Sequence, residues 1–172
     1  MNILEKIIAY KKKEVTQLKK EVPLEKLVKS PSFKRTPISL RKALSHENSN
    51  GIIAEFKRQS PSKGVINDQC SVVDVTRGYL EAGVAAQSIL TDIEFFGGSV
   101  VVVIQARTIN DSLPILRKEF IVDGFQIVEA KAIGSDAILL IAACLTKIEL
   151  KNYSLLAADL GLEVLYEIHN EA

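Results

Sequence analysis

Four charged side chains stand at the ends of short apolar runs, where each would close a buried β-strand. They are two glutamates and two lysines: Glu55, Lys57, Lys118 and Glu167. A charge beside an apolar core is tolerated only when it is paired or has a function. Ammonium and carboxylate groups that share a dry cleft are suited to general acid and base catalysis.

Alternation along a strand decides which of these side chains face the same way. Glu55 and Lys57 are two residues apart and therefore share a face, and Lys118 shares a face with apolar neighbours. One charged strand end is most simply a solvated rim, but four of them favour a shared polar pocket. His169 follows Glu167 at the same spacing, and we expect a loop or hydrogen-bonding histidine there. No metal site is predicted, because no second His or Cys stands near these carboxylates at ligand spacing.

The elements that would position the charges alternate along the chain. Three helices are predicted from a capping pair and a terminal glycine: Ser71/Asp74 to Gly83, Asp123/Gln126 to Gly134 and Thr146/Glu149 to Gly161. Five strands are predicted, at 52–58, 86–92, 114–120, 137–143 and 162–168. A further helix over SVVVVIQART rests only on its place between two strands, because β-branched residues disfavour helices. This order predicts an α/β fold with a parallel sheet.

The chain before the first strand is basic. Residues 1–45 carry a net charge of +8, and the rest of the chain carries −7. A helix is predicted from Asn2 to Pro23, and a shorter one near 40–44. We expect the run KKKEVTQLKK of the first helix to be a solvated face. Steering of an anionic small molecule and, last, nucleic-acid binding are the alternatives. The loop RQSPSKG is expected to be a turn before a helix, with phosphate contact as an alternative.

Composition bounds the class of protein. The chain has 172 residues, of which 47% are hydrophobic and 25% charged, which is typical of one globular domain. Its longest apolar run has nine residues, 137–145, against the ~18 that a membrane span needs. The N-terminus does not read as a secretory signal, and Cys70 and Cys144 are far apart. We therefore expect a cytoplasmic protein without membrane or nucleic-acid partners.

Four stretches resemble, in order, signature stretches of the indole-3-glycerol phosphate synthases: IIAEFKRQSPSKG, SILTDIEFFGGS, PILRKEFIVDGFQIVEAKAIGSDAILLIAA and LEVLYEIHN. The opening ILEKIIAYKKKEV is similar to that family's N-terminal helical segment. The resemblance implies a (β/α)8 TIM barrel, here with an N-terminal helical extension over 1–50 and strands one to five over 51–172. It also implies a lyase of tryptophan biosynthesis. Such a lyase closes the indole ring of 1-(2-carboxyphenylamino)-1-deoxyribulose 5-phosphate, with loss of carbon dioxide and water and without a cofactor.

The resemblance also implies roles for individual residues. Lys118 matches the general acid at the substrate carbonyl, and Glu167 matches the glutamate of base or dehydration chemistry. Lys57 matches a lysine that contacts anionic groups and is a second candidate acid, and Glu55 matches the carboxylate that orients the lysines. Five further positions match residues beside the substrate: Ser60 and Pro61 on a loop, and Phe96, Phe120 and Leu139 in an apolar wall.

The sequence ends soon after the fifth predicted strand, whereas eight strand–helix units need at least ~200 residues. We therefore expect strands six to eight, with most of the phosphate site, to be absent from this chain. Alone, it would have negligible synthase activity and would self-associate through open strand edges. Two other functions stay open: a non-catalytic barrel fragment that needs a partner chain, and a phosphate-binding isomerase of the phosphoribosylanthranilate isomerase type. The combination of Glu55, Lys57 and Lys118 argues against the isomerase.

Overall fold

A computed structural model describes residues 2–168 of the chain. Within these residues the strands are β1 (Ile53–Phe56), β2 (Gln59–Ser60), β3 (Gly64–Val65), β4 (Ala86–Leu90), β5 (Ile115–Lys118), β6 (Ala137–Ile141) and β7 (Glu163–Glu167). Five of them form one parallel sheet in the order β1-β4-β5-β6-β7, and β2 pairs with β3 as an antiparallel hairpin. All five predicted sheet strands are therefore confirmed.

Helices connect the sheet strands and precede them. They are α1 (Ile3–Glu21), α2 (Leu24–Val28), α3 (Leu40–Ser45), α4 (Val72–Glu81), α5 (Val100–Ile109), α6 (Gly124–Ile133) and α7 (Lys147–Asp159). Two 3-10 turns lie at Pro31–Lys34 and Ala142–Cys144. No helix in residues 2–168 is both long and apolar enough to cross a membrane.

The capping pairs form as the sequence predicts. Asn2 caps α1 with Glu5 in a reciprocal capping box, and α6 and α7 begin with boxes of the same kind. Ser71 caps α4 by accepting a hydrogen bond from the Asp74 amide. Helix α6 ends at Gly134, whose φ of 94° is the left-handed geometry that favours glycine.

Helix α5 forms in spite of its β-branched residues. The Ser99 hydroxyl accepts a hydrogen bond from the Val101 amide at its start. Val103 and Ala106 are fully buried and pack with Ile89 and Ile115 of the sheet. Burial of this face outweighs the small helix-propensity cost of the valines, so tertiary packing decides the element.

Helix α3 covers one end of the sheet. Its Leu40 packs with Ala86, Leu116 and Ala137, near the amino ends of three parallel strands. On the outer face of the sheet, the helices bury a second apolar layer that includes Ile138. The Leu40 cluster and this outer layer leave the carboxyl ends of the strands as the open end of the sheet.

An amino-end cluster of charges ties the N-terminal segment to the sheet. Asp136, fully buried just before β6, accepts hydrogen bonds from the Arg35 and Arg107 guanidinium groups. It also accepts from the backbone amides of Ile38 and Ile115, both at 2.7 Å. Both oxygens of this carboxylate are therefore used, and three separate segments meet on it.

Two expectations need correction, one about the RQSPSKG segment after β1 and one about α1. The RQSPSKG segment is more than a turn, because it forms the β2–β3 hairpin, and the Arg58 carbonyl accepts from the amides of Ile66 and Asn67. The basic run of α1 is not a uniformly solvated face, since Lys11 is 1% exposed. Lys11 lies one turn from Ile7 and from Val15, so it occupies the stripe of α1 that faces the protein.

Candidate active site

A cavity of about 200 Å³ lies at the carboxyl ends of the strands. Seven of the predicted site residues line it: Glu55, Lys57, Phe96, Lys118, Phe120, Leu139 and Glu167. The remaining lining residues are Leu90, Glu119 and Ile141. The four charged groups singled out by their strand positions are thus brought together.

Curvature of the sheet makes this convergence possible. Glu55 comes from β1 and Glu167 from β7, the two outer strands of the described sheet. In a flat sheet, four strand spacings would separate them by about 19 Å. Both side chains nevertheless line one small cavity, so the sheet must bend around it as part of a barrel wall does.

The charges in the cavity form two ion pairs. Lys57 Nζ lies 2.8 Å from Glu55 Oε1, and Lys118 Nζ lies 3.6 Å from Glu167 Oε2. Each of these side chains is about one third exposed, at 32–34%. The pairs therefore sit in a cleft that a ligand can reach, and each pair places a proton donor beside a proton acceptor.

The rings of Phe96 and Phe120, together called the aromatic slot, line the same cavity as the ion pairs. The ring centroids of Phe96 and Phe120 are 5.8 Å apart with an angle of 34° between the ring planes. Leu139, from β6, lines the same cavity and is 2% exposed. Flat apolar walls of this kind suit an aryl group.

Ser60 and Pro61 lie beside this cavity without lining it. They line an adjoining open groove of about 440 Å³ together with Lys57, Phe96 and residues of α1. The two predicted loop residues are therefore next to the site, and Lys57 and Phe96 are common to both spaces. His169 lies outside the described residues.

A carboxyl-end cluster of buried charges lies behind the cavity. Lys11 of α1 places its Nζ 2.9 Å from Asp92 Oδ2, 3.2 Å from Glu119 Oε1 and 3.0 Å from Glu14 Oε1. Asp92 is 0% exposed and Glu119 is 4% exposed. Burial opposes the charge of Lys11, but the fields of Glu119 and Asp92 outweigh it and raise the pKa of the ammonium. Burial raises the pKa of the Glu119 carboxyl, against the opposing charges of Lys11 and Arg117.

Sequence reasoning missed this cluster, although one signal was present. Ile7, Lys11 and Val15 recur every four residues, so a lysine occupies an apolar stripe of α1. Asp92 is the last residue of the second predicted strand, 86–92, but its partner could not be read from the sequence. Among residues 2–168, no three His, Cys, Asp or Glu side chains are grouped so as to hold a metal ion.

A parallel sheet with intervening helices, and paired acids and bases at the carboxyl ends of its strands, defines an α/β-barrel type of enzyme fold. The family profile for indole-3-glycerol phosphate synthase matches residues 4–172. The chain belongs to the indole-3-glycerol phosphate synthase family, whose members are TIM barrels, and the five-stranded parallel sheet of residues 2–168 corresponds to part of such a barrel.

Curated relatives support the same assignment. The chain is 45% identical over 169 residues to the indole-3-glycerol phosphate synthase of Bacteroides thetaiotaomicron, covering 98% of this chain and 64% of the relative. It is 42% identical to the synthase of Carboxydothermus hydrogenoformans, covering 97% of this chain and 65% of the relative. For the synthase of Polaromonas naphthalenivorans the identity is 41%, with coverage of 99% and 66%. The chain thus spans just under two thirds of the length of these relatives.

Proposed function

We propose that this chain supplies the acid–base part of an indole-3-glycerol phosphate synthase site. The observation that carries the proposal is the convergence of two lysine–glutamate pairs and an aromatic slot on one cavity. The family assignment supports it independently. The proposed substrate is 1-(2-carboxyphenylamino)-1-deoxyribulose 5-phosphate, and the products are indole-3-glycerol phosphate, carbon dioxide and water.

The residues divide the work as follows. Lys118 donates a proton to the substrate's carbonyl oxygen while the aryl carbon attacks the carbonyl carbon, which closes the ring. Loss of the carboxylate as carbon dioxide leaves the electron pair of the broken bond in the aryl ring and so restores its aromaticity. Expulsion of the hydroxyl as water then needs an acid that protonates it and a base that removes a proton from the ring carbon between it and the nitrogen. Lys57 is the proposed acid of this step, and Glu167, 3.6 Å from Lys118, is the proposed base.

Binding falls to the other groups. Glu55 holds the Lys57 ammonium at 2.8 Å, in position to contact the substrate's carboxylate or phosphate. The aryl ring packs against the apolar side of the cavity, which Phe96, Phe120 and Leu139 line, because ring centroids 5.8 Å apart leave no room for a third ring between the two phenylalanines. Ser60 and Pro61 lie in the adjoining groove, where a longer ligand would extend past Lys57.

The remaining parts of the proposal concern context. We infer a cytoplasmic enzyme that works without a cofactor and does not bind nucleic acid. Cys70 and Cys144, both unpaired thiols, are compatible with that compartment. Self-association through the outer strands β1 and β7 stays a prediction, which sedimentation of the purified chain would test.

The test uses a completed barrel, defined as all 172 residues of this chain followed by the part of the Bacteroides thetaiotaomicron synthase that lies beyond the position aligned with the last residue. We expect this fusion to form indole-3-glycerol phosphate, seen as a rise in indole fluorescence over that of the same protein before substrate is added. The 172-residue chain, assayed alongside, is expected to form almost none. A fusion that melts cooperatively but forms no product would overturn the proposal.

A further inference from the structure

We propose that Lys11, on the N-terminal helix α1, is a positioning residue for the aromatic slot of Phe96 and Phe120. One ammonium is shared by two buried carboxylates, those of Asp92 and Glu119. Each carboxylate in turn accepts a hydrogen bond from the backbone amide of one phenylalanine of the slot. This inference rests on the proposed function, because the slot is assigned there to the substrate's aryl group.

The first link runs from Asp92 to Phe96. Asp92 Oδ1 accepts hydrogen bonds from the amides of Phe95 at 2.8 Å and Phe96 at 3.2 Å. The Asp92 carbonyl also accepts from the Gly98 amide at 2.7 Å. The turn that carries Phe96 is therefore folded around this one aspartate.

The second link runs from Glu119 to Phe120. Glu119 Oε1 accepts a hydrogen bond from the Phe120 amide at 2.8 Å. Its other oxygen accepts from the Thr91 hydroxyl at 2.7 Å, which joins the ends of β4 and β5. Glu119 thus fixes the second ring of the slot and the strand beside it.

The two links need a shared cation. Asp92 and Glu119 are both almost fully buried, and two carboxylates so close together cannot both stay ionised without compensation. Lys11 carries three N–H donors and has three carboxylate neighbours, the third being Glu14.

Arg117 Nη2 also lies 3.9 Å from Glu119 Oε2, so Glu119 faces a second cation. Within residues 2–168, Asp92 forms no ion pair other than that with Lys11. Without the ammonium, Asp92 would therefore lose its counter-ion and move towards water, which releases the Phe96 ring.

The experiment measures selectivity rather than total binding. Dissociation constants are determined for indole-3-glycerol phosphate and for glycerol 3-phosphate, which lacks the aryl group, in both the 172-residue chain and the completed barrel. In Lys11→Met we expect the preference for the indole ligand to fall about three- to tenfold, the loss expected from a misplaced aromatic contact. Lys12→Met, an exposed lysine one residue along the same helix, is the matched control and should leave the preference unchanged.

Rescue separates positioning from a general loss of structure. Lys11→Arg keeps the charge and should restore most of the preference, whereas general destabilisation would weaken both ligands alike. If Lys11→Met does not fold, Asp92→Ala tests the same link, because it removes the acceptor of the Phe96 amide but leaves Glu119 paired with Lys11. An unchanged preference in Lys11→Met or, in that case, Asp92→Ala would overturn the inference. If neither unsubstituted protein binds the indole ligand, the proposed function itself fails.

Discussion

The two ends of the parallel sheet use buried charge in different ways. At the amino ends of the strands, Asp136 accepts two guanidinium and two backbone donors and faces no cavity lined by the predicted site residues. At the carboxyl ends, Lys11 shares one ammonium among carboxylates, and one of these, Glu119, lines the candidate cavity. The first cluster joins segments of the chain, and the second holds a site in shape.

The difference follows from what each end must do. Loops at the carboxyl ends of barrel strands are free to carry chemistry, whereas the opposite end serves stability. A buried charge at the amino end can therefore be fully satisfied, as Asp136 is. At the carboxyl end, some polar groups must stay available to a ligand, and Lys57 and Lys118 remain about one third exposed.

The largest expected effect is on turnover. Lys118→Met in the completed barrel should lower kcat by about 10²–10⁴-fold, because it removes the proposed proton donor. The melting temperature should change little, since this side chain is only paired at the surface of the cavity. Lys151→Met, on the exposed side of α7, is the matched control. Full turnover in Lys118→Met would remove this residue from the acid role.

The next effect is on stability at the opposite end. Asp136→Ala leaves two arginines and two backbone amides without their shared acceptor, and we expect the free energy of unfolding to fall by about 3–5 kcal/mol. Urea titration measures this, with the exposed Asp159→Ala as the control. Affinity for indole-3-glycerol phosphate per folded molecule should stay constant. A change in affinity without a change in stability would contradict the distinction between the two ends, in which the amino-end cluster joins segments and the carboxyl-end cluster positions the site.

A glycine at the carboxyl end should affect stability and binding together. A Cβ on Gly98 would lie 2.3 Å from the Leu90 carbonyl oxygen, so Gly98→Ala must displace the turn that carries Phe96. We expect a loss of about 1–3 kcal/mol in unfolding free energy and weaker binding of the indole ligand. Gly78→Ala, inside α4 with open space around it, should instead stabilise by about 0.5–1 kcal/mol. Thermal melts and titrations of both variants test this contrast.

The smallest effect is electrostatic and reports on proximity alone. Burial, and after it the charge of Glu167, raise the pKa of the Cys144 thiol to about 11. Alkylation of Cys144 in a Cys70→Ser background should therefore accelerate with pH up to that value. Glu167→Gln removes the negative charge, lowers this pKa and should speed alkylation at pH 8 roughly two- to threefold. Asp159→Asn, which removes an exposed carboxylate at the end of α7, is the control and should leave the rate unaltered, and an equal response would contradict the geometry.

Much of the fold could be predicted because its signals are local. Capping residues such as Asn2 and Asp123 lie three positions from their partners, so the helix starts can be read directly from the sequence. Strand alternation likewise placed Glu55 and Lys57 on one face, and it placed Lys118 on a face with apolar neighbours. The hairpin of β2 and β3 was missed, because a two-residue strand leaves almost no pattern.

The buried charge clusters could not be predicted because their partners are distant in sequence. Lys11 and Glu119 are 108 residues apart, and the sequence does not say which carboxylate a lysine will meet. Asp136 stands between a predicted helix and a predicted strand, and nothing near it in the sequence indicates a partner. Its role appears only when Arg35 and Arg107 fold against it.

The bend of the sheet sets an order for assembly during translation. Glu55 and Glu167 are 112 residues apart in the chain yet line the same cavity. A ribosome that adds about 5–20 residues per second needs roughly 6–22 s to synthesise the stretch between them. Through that interval the nascent polypeptide carries the Glu55–Lys57 pair without Glu167, so the cavity that both glutamates line cannot form before β7 emerges.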